Sequence, residues 1–425
     1  MNLHFSFMKF LFIICCVGFC AGCVNSQQKE PDTVLTQILS SKPEQFGDIL
    51  KHAEKHRLQI LYTQIDRDAN NHPSFQSFSY RTNTTDYFYP ASTVKQPAAI
   101  LALEKLNNLK IAGLDKYTSL RIDSAAAGQS AVTADSSSES GLPTIAHYIK
   151  KVFIVSDNDA FNRLFEFLGQ QYFNEALWQK GYQDLKMIRR LESGMTPEGN
   201  RITNPFTFYK GDEVIYNQPL VKNEHIYTVQ MKDVQQGIGY MSRGSLVKEP
   251  IDFSNSNYIS IENLQRILKA VIFPEAVPES ERFHLADDDY QFLYRCMSML
   301  PRESDYPDYS DTTRYYDSYV KYFMFGDAKE PIPANIRILN KVGQAYGYLI
   351  DNAYVIDFEN QVEFLLTAVI QVNKNQIYND NHYEYDSTGY PFLANLGRAV
   401  YEHELARERP HKPDFNKFSH IRNQQ

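Results

Sequence analysis

The sequence predicts an α/β fold in which strands from both ends of the chain meet in one sheet and helices from its middle form the layers around it. Three observations carry this. Residues 58–66 (LQILYTQID) and 74–80 (SFQSFSY) are short runs rich in β-branched and aromatic side chains, separated by a turn at His72 and Pro73. Apolar residues recur at helical spacing through 143–170, 261–273 and 288–300. The chain then returns to strand-like patterning at 336–342, 352–357 and 362–371. At 425 residues, 43% hydrophobic and without an internal repeat, it is long enough for a large core. One two-layer domain with insertions fits as well as the two or three domains that length alone suggests.

The first residues read as an address rather than as fold. Lys9 precedes a short apolar run at 10–19, too short to span a bilayer, and Ala21-Gly22-Cys23 follows it. That tripeptide resembles the bacterial lipobox. Residues 1–22 are therefore expected to be a lipoprotein-type signal peptide, Cys23 the lipidated residue, and 23–33 a polar tether. The expected location is the bacterial cell envelope, lipid-anchored on the periplasmic side or the cell surface. The alternative is a plain signal peptide with an incidental cysteine. Cys15, Cys16 and Cys20 would leave with the signal, so Cys23 and Cys296 remain and no structural disulfide is expected. Cys296 reads as a buried helix residue.

The elements then follow in order. Residues 33–56 read as one helix, with Leu35, Ile38 and Leu39 early and Phe46, Ile49 and Leu50 later. After the two strands comes a loop at 83–86 and a helix buried through Ala98, Ile100, Leu101, Leu103 and Leu106; Pro97 is tolerated in its first turns. Ile145, Ile149 and Val152, then Phe161, Leu164, Phe165 and Leu168, read as two helices joined by a short loop. Residues 206–209 and 224–229 read as β-like pieces, and 261–273 and 288–300 as helices. Residues 303–330 are acidic and tyrosine-rich; Tyr306, Tyr309, Tyr315, Tyr316, Tyr319 and Tyr322 pack this stretch on the core or line a glycan or peptide groove. A helix at 391–404 closes the fold, and the tail 406–425 reads as polar and loose.

A net charge of −8 with scattered basic residues argues against nucleic acid as a partner. There is no HExxH motif and no paired-histidine spacing, so no metal and no cofactor is expected. Asp287, Asp288 and Asp289 read as a helix cap rather than a calcium site. Oligomeric state is left open.

The candidate chemistry lies in three short motifs. Ser92 and Lys95, in Tyr89-Pro90-Ala91-Ser92-Thr93-Val94-Lys95, are three residues apart at a helix start and share one face. An amine so placed can take the proton of a serine nucleophile, and the positive helix end favours an oxyanion. Alone the pattern is weak, and a capping serine with a solvated lysine explains it equally. Ser156-Asp157-Asn158 follows in the loop between two helices, where an ordinary helix cap is the competing explanation. Lys341-Val342-Gly343 opens a strand near the C-terminus.

In this order the three motifs resemble the S-x-x-K, S-D-N and K-T-G signatures of the penicillin-recognising serine hydrolases, and class A β-lactamases most closely. The resemblance covers roughly 34–405, with an expanded region at about 205–330. It implies a β-lactamase/transpeptidase-like fold: a five-stranded antiparallel sheet flanked by helices, an all-helical part, and an active site between them. It makes Ser92 the nucleophile, Lys95 its base and Ser156 a proton relay. Asn158 would bind a substrate carbonyl and touch Lys95, and Asp157 would brace the loop. Lys341 would hold a substrate anion, Gly343 would allow close approach, and the backbone of Gln344 with that of Ser92 would form the oxyanion hole.

Two departures stand out. Val342 lacks the usual hydroxyl, a bond worth roughly 1.5–3 kcal/mol to a charged group. Placing Arg190-Leu191 on the Arg-Leu of the class A omega loop puts its glutamate near Met195, flanked by Glu192 and Glu198; Glu192 is the candidate base for deacylation. Without such a base a penicillin would acylate Ser92 and stay. The expected function is hydrolysis of a β-lactam or related amide through an acyl-enzyme. The alternatives are a penicillin-binding, D-Ala-D-Ala-type peptidase acting on cell-wall peptides, and a catalytically silent scaffold lipoprotein.

Overall fold

The computed structural model describes residues 33–422, so the expected signal peptide, Cys23 and the expected tether as far as residue 32 lie outside the described residues, and Thr33, expected to end the tether, instead opens the first helix. Five strands form the central sheet: β1 (Gln59–Arg67), β2 (Pro73–Tyr80), β3 (Ile336–Ala345), β4 (Tyr348–Asp357) and β5 (Val362–Gln371). Their order is β3-β4-β5-β1-β2 and every pairing is antiparallel. The chain ends therefore meet at β1 and β5, where Tyr62 stands opposite Leu366.

The side-chain period of two explains why this sheet is covered on both faces. On β5, Phe364, Leu366, Ala368 and Ile370 enter one apolar core, while Leu365 and Val369 enter the other. The first core lies under α1 (Thr33–Ser40), α2 (Pro43–Lys51) and a long C-terminal helix (Tyr390–Ala406). The second is filled by α3 (Lys95–Leu109), α4 (Ile145–Ile154), α5 (Asn158–Leu168), α6 (Gln170–Gln179), α7 (Ile261–Ile272) and α8 (Asp287–Ser298). Helix α7 is tied to the sheet by buried Gln265, which bonds Thr63, the Leu61 carbonyl and Thr367 at 2.7, 2.9 and 3.1 Å. The expanded region 205–330 thus contains core helices as well as surface loops.

Several expectations are corrected. Residues 33–56 are two helices, because Pro43 cannot continue the first and instead opens the second. Residues 224–229 form no strand with any described residue, and Tyr227 packs on Trp178 at 5.2 Å instead. The helical part is not purely helical, since Ser119–Ile122, Phe206–Lys210 and Glu213–Gln218 make a small sheet against Phe167. The tail is anchored as far as residue 422. Arg407 pairs with Asp66 and Glu404, and Phe415, Phe418 and Ile421 are buried, three apolar residues dispersed in a polar stretch. Cys296 is buried on α8, and burial pushes its thiol up to about 12. Asp289 accepts the Ala286 N–H at 3.0 Å and pairs with Lys116, so the aspartate run caps α8.

Candidate active site

The Ser92 turn is the first wall of the site. Residues Ala91–Val94 form a 3₁₀ turn that runs into α3. Ala91 has φ +48°, a left-handed conformation that costs a non-glycine residue energy and here bends the chain at the nucleophile position. Thr93 ties the turn by donating to the Pro90 carbonyl at 2.6 Å. Strand β3 presses on it from the other side. A side-chain carbon at Gly343 would fall 2.7 Å from the Pro90 carbonyl oxygen and 3.2 Å from the Ser92 nitrogen, so only glycine fits.

The loop between α4 and α5 is the second wall. Asp157 caps α5, accepting from the Ala160 N–H at 2.7 Å. Ser156 takes φ +59°. Its Oγ lies 3.2 Å from Lys95 Nζ and 2.9 Å from Lys341 Nζ. Lys95 also donates to the Ser156 carbonyl and to Asn158 Oδ1, both at 2.5 Å. With Oδ1 so occupied, Asn158 keeps its amide N–H groups for another acceptor. The hydrogen bonds of Lys95 go to this second motif and none to Ser92.

Both lysines are buried, Lys95 completely and Lys341 at 1% exposure. Burial pulls Lys95 down to about 7, opposed by the charges of Asp157 and Glu192. Burial, then the neighbouring Lys95, holds Lys341 well below the usual lysine range. Beneath them Lys321 donates to Asn340 Oδ1 at 2.7 Å, and Asn340 donates to Asp351 at 2.8 Å. Burial pushes the Asp351 carboxyl up to about 6.

Val342 is 2% exposed and belongs to the core behind the sheet, on the face opposite Lys341. Sequence reasoning placed it as a missing hydroxyl at the ligand; strand alternation places its side chain in the apolar layer instead. Val342→Thr is therefore expected to cost roughly 1–3 kcal/mol for a buried hydroxyl, and to speed acylation by penicillin less than about tenfold. Chemical denaturation and acylation kinetics read the two effects.

A cavity of about 400 Å³ opens at the Ser92 turn. Ser92, Asn158 and Gln344 line it, with Tyr89, Arg189, Leu191, Glu192 and Tyr346. The Gln344 side chain is held by the hydroxyls of Tyr390 and Tyr322 at 2.7 and 3.3 Å. Of the tyrosine-rich stretch, Tyr309, Tyr315, Tyr316 and Tyr319 pack edge to face on one another, and Tyr322 reaches the cleft through Gln344.

The loop after α6 carries the third wall. Arg190, 2% exposed, donates to Glu166 at 2.9 Å and to the Ile202 carbonyl at 2.8 Å. Asn162 clamps Leu191 through both its N–H and its carbonyl, at 2.8 and 2.9 Å. Arg190→Ala should cost about 3 kcal/mol, since it strips a partner from a buried carboxylate that Arg163 still faces. Urea denaturation measures this. Glu192, at φ +49°, is exposed and lines the cleft without a hydrogen bond to any described residue. Glu198 sits on the exposed turn Pro197–Asn200 and does not line the cleft.

The structure thus brings Ser92, Lys95, Ser156, Asn158, Lys341, Gly343 and Gln344 together, with Glu192 at the rim. Sequence reasoning missed Asn162, Glu166, Arg189 and Asn257, the residues that hold or occupy the loop. Asn162 was findable, since it lies one helical turn beyond Asn158 on the same face. Among the described residues, no group of three His, Cys, Asp or Glu side chains is arranged for a metal.

The sequence model of the Beta-lactamase enzyme family matches residues 44–279, more than half of the 425-residue chain. A comparison with curated proteins finds no match. Among solved structures, a β-lactamase from Xanthomonas campestris aligns at 14% identity over 86% of this chain and 98% of its own, with a TM-score of 0.45. A class A β-lactamase from Clostridium kluyveri aligns at 15% identity over 87% of this chain and 98% of its own, with a TM-score of 0.45. A protein described as PBP-A aligns at 13% identity over 87% of this chain and 95% of its own, with a TM-score of 0.47.

Proposed function

The chain belongs to the β-lactamase enzyme family and has a β-lactamase/transpeptidase-like fold, and on that premise we propose that it is a serine hydrolase that opens an amide or lactam through an acyl-enzyme on Ser92. The observation that supports this best is Ser156 Oγ, held between the ammonium positions of Lys95 and Lys341 beside the Ser92 turn. A hydroxyl that accepts from one lysine can donate its own proton onward, so the three groups form a proton path.

In this reading Ser92 Oγ attacks the carbonyl carbon and its proton passes to the neutral amine of Lys95, directly or over Ser156. The carbon–nitrogen bond then breaks, and the leaving nitrogen takes that proton back through Ser156. Lys341 steadies the charge on this path, and Asn158 holds the acyl-side carbonyl. Water finally cleaves the ester and frees Ser92.

Deacylation of a β-lactam is the slow step. Glu192 is exposed and no described residue holds its carboxylate by a hydrogen bond in a place that would fix a water against Ser92, and the clamped Leu191 beside it is apolar. We favour a cell-wall peptide of the D-Ala-D-Ala type as substrate, with β-lactams as slowly released mimics. A lipid anchor on Cys23 in the bacterial cell envelope belongs to the same proposal. A fluorescent penicillin should label the wild-type chain through denaturing electrophoresis and leave Ser92→Ala unlabelled. Failure of Ser92 to react with penicillins and with activated peptide esters would favour a silent scaffold instead.

A further inference from the structure

The cavity at Ser92 is lined by Asn158 and Gln344 but by neither Ser156 nor Lys341. The leaving group departs on the Ser156 side in the acyl-serine reading, so this space takes the acyl side of the substrate. Two of its lining groups carry opposite charge, Arg189 and Glu192. Neither side chain has a hydrogen bond or an ion pair with any described residue, and the two are not paired with each other. Their surroundings make this unusual. The adjacent Arg190 spends its guanidinium on Glu166 and two carbonyls, and Arg163 pairs with Asp159 and Glu166.

Arg189 is also held in place without use of its side chain. Buried Asn257 accepts its N–H at 3.0 Å and donates to its carbonyl at 2.9 Å. Asn162 clamps Leu191 in the same two-pronged way, so the backbone that presents Arg189 and Glu192 is fixed. Tyr89 and Tyr346, edge to face at 5.0 Å, wall the same space. An unpaired guanidinium in a half-buried place suits a carboxylate, which it can grip through two parallel bonds. An unpaired carboxylate three residues on, beside tyrosine rings, suits an ammonium.

Resting on the acyl-serine reading, we infer that the cleft selects acyl groups whose side chain ends in a free α-amino acid, its carboxylate held by Arg189 and its ammonium by Glu192. Lys341 is not available for this, since it is buried and bonded to Ser156 and to the Val342 carbonyl.

The test uses three peptides with the same scissile amide, differing only at the acyl side-chain end: a free α-amino acid, its carboxamide, and its N-acetyl derivative. With the full chain, the free end should raise kcat/KM about tenfold or more over each blocked form, as expected for one charge-assisted bond. Arg189→Ala should erase the preference over the carboxamide and keep that over the N-acetyl form. Glu192→Gln should do the reverse. Equal rates for all three peptides, or substitutions that slow all three by one factor, would overturn the inference. Calorimetric binding of the same peptides to Ser92→Ala separates the inference from the reading beneath it. If no peptide acylates the wild type but the free end still binds Ser92→Ala about tenfold tighter, the inference stands and the acyl-serine reading falls. Equal binding of all three overturns the inference itself.

Discussion

Replacing Lys95 by alanine is expected to slow acylation of Ser92 by roughly two to four orders of magnitude, the usual worth of a positioned base. The wild type should show why. Burial holds Lys95 near 7, so acylation by an uncharged substrate should rise with pH below about 7 and level off above it, as the amine becomes neutral. Lys95→Ala should lose that rise. Stability carries the same signature with a definite sign. The folded value lies below the ordinary 10.5, so between about 7 and 10.5 the unfolded chain binds more protons than the folded one. Stability therefore increases with pH across that window, and the penalty for a buried ammonium is full below it. Lys105 and Lys321 are also drawn down to about 7 by burial and act in the same direction. The Lys95 share is the difference between denaturation curves of wild type and Lys95→Ala taken across the window. Stopped-flow acylation over pH 5 to 9, about two units either side of the Lys95 value, reads the kinetic half.

Gly343→Val is expected to slow acylation on the order of a hundredfold while the rest of the sheet stays folded. The first added carbon already meets the Pro90 carbonyl oxygen at 2.7 Å, and that atom is backbone in the turn that positions Ser92. Either β3 or the turn must move, and the Ser92 backbone shifts relative to Gln344 with it. A displacement of about 1 Å in such a site costs on the order of a hundredfold in rate, and the overpacking adds about 1–3 kcal/mol of destabilisation. Labelling by penicillin together with a thermal melt separates the two. Labelling slowed on that scale with a modest fall in melting temperature is the expected pair, and labelling at the wild-type rate would show that the close approach of β3 is dispensable.

The parts of this molecule that were legible in the sequence are those whose signal is local. Ser92 with Lys95 and the Ser156 loop announce themselves by spacing within one helical turn or at a helix cap. The strands at both chain ends announce themselves by β-branched runs. The five-stranded sheet followed from the motifs taken together. What escaped is set by contacts distant in sequence. Nothing near Arg189 says that Asn257 will clamp it, whereas the face taken by Val342 was legible, since alternation along β3 turns it away from Lys341 into the apolar layer. Residues 224–229 had a strand-like pattern, but Tyr227 is taken up by Trp178, far from it in sequence on α6, and no ladder forms with a described residue. The tail had Phe415, Phe418 and Ile421, too sparse among charges to read as packing, yet together they cover an apolar surface. Pro43 was the exception, a local signal for a helix boundary that the apolar spacing around it masked.

The most direct test of the account is intact-mass spectrometry of the chain from Cys23 onward, mixed with a penicillin and sampled over time, with peptide mapping of the modified site. The expected result is an added mass equal to the whole penicillin, on the peptide that contains Ser92, persisting after excess drug is removed and absent in Ser92→Ala. Steady loss of penicillin without a lasting adduct would contradict slow deacylation and give Glu192 the role of base. No adduct and no loss of penicillin, with activated peptide esters equally inert, would contradict the central claim that Ser92 is a nucleophile.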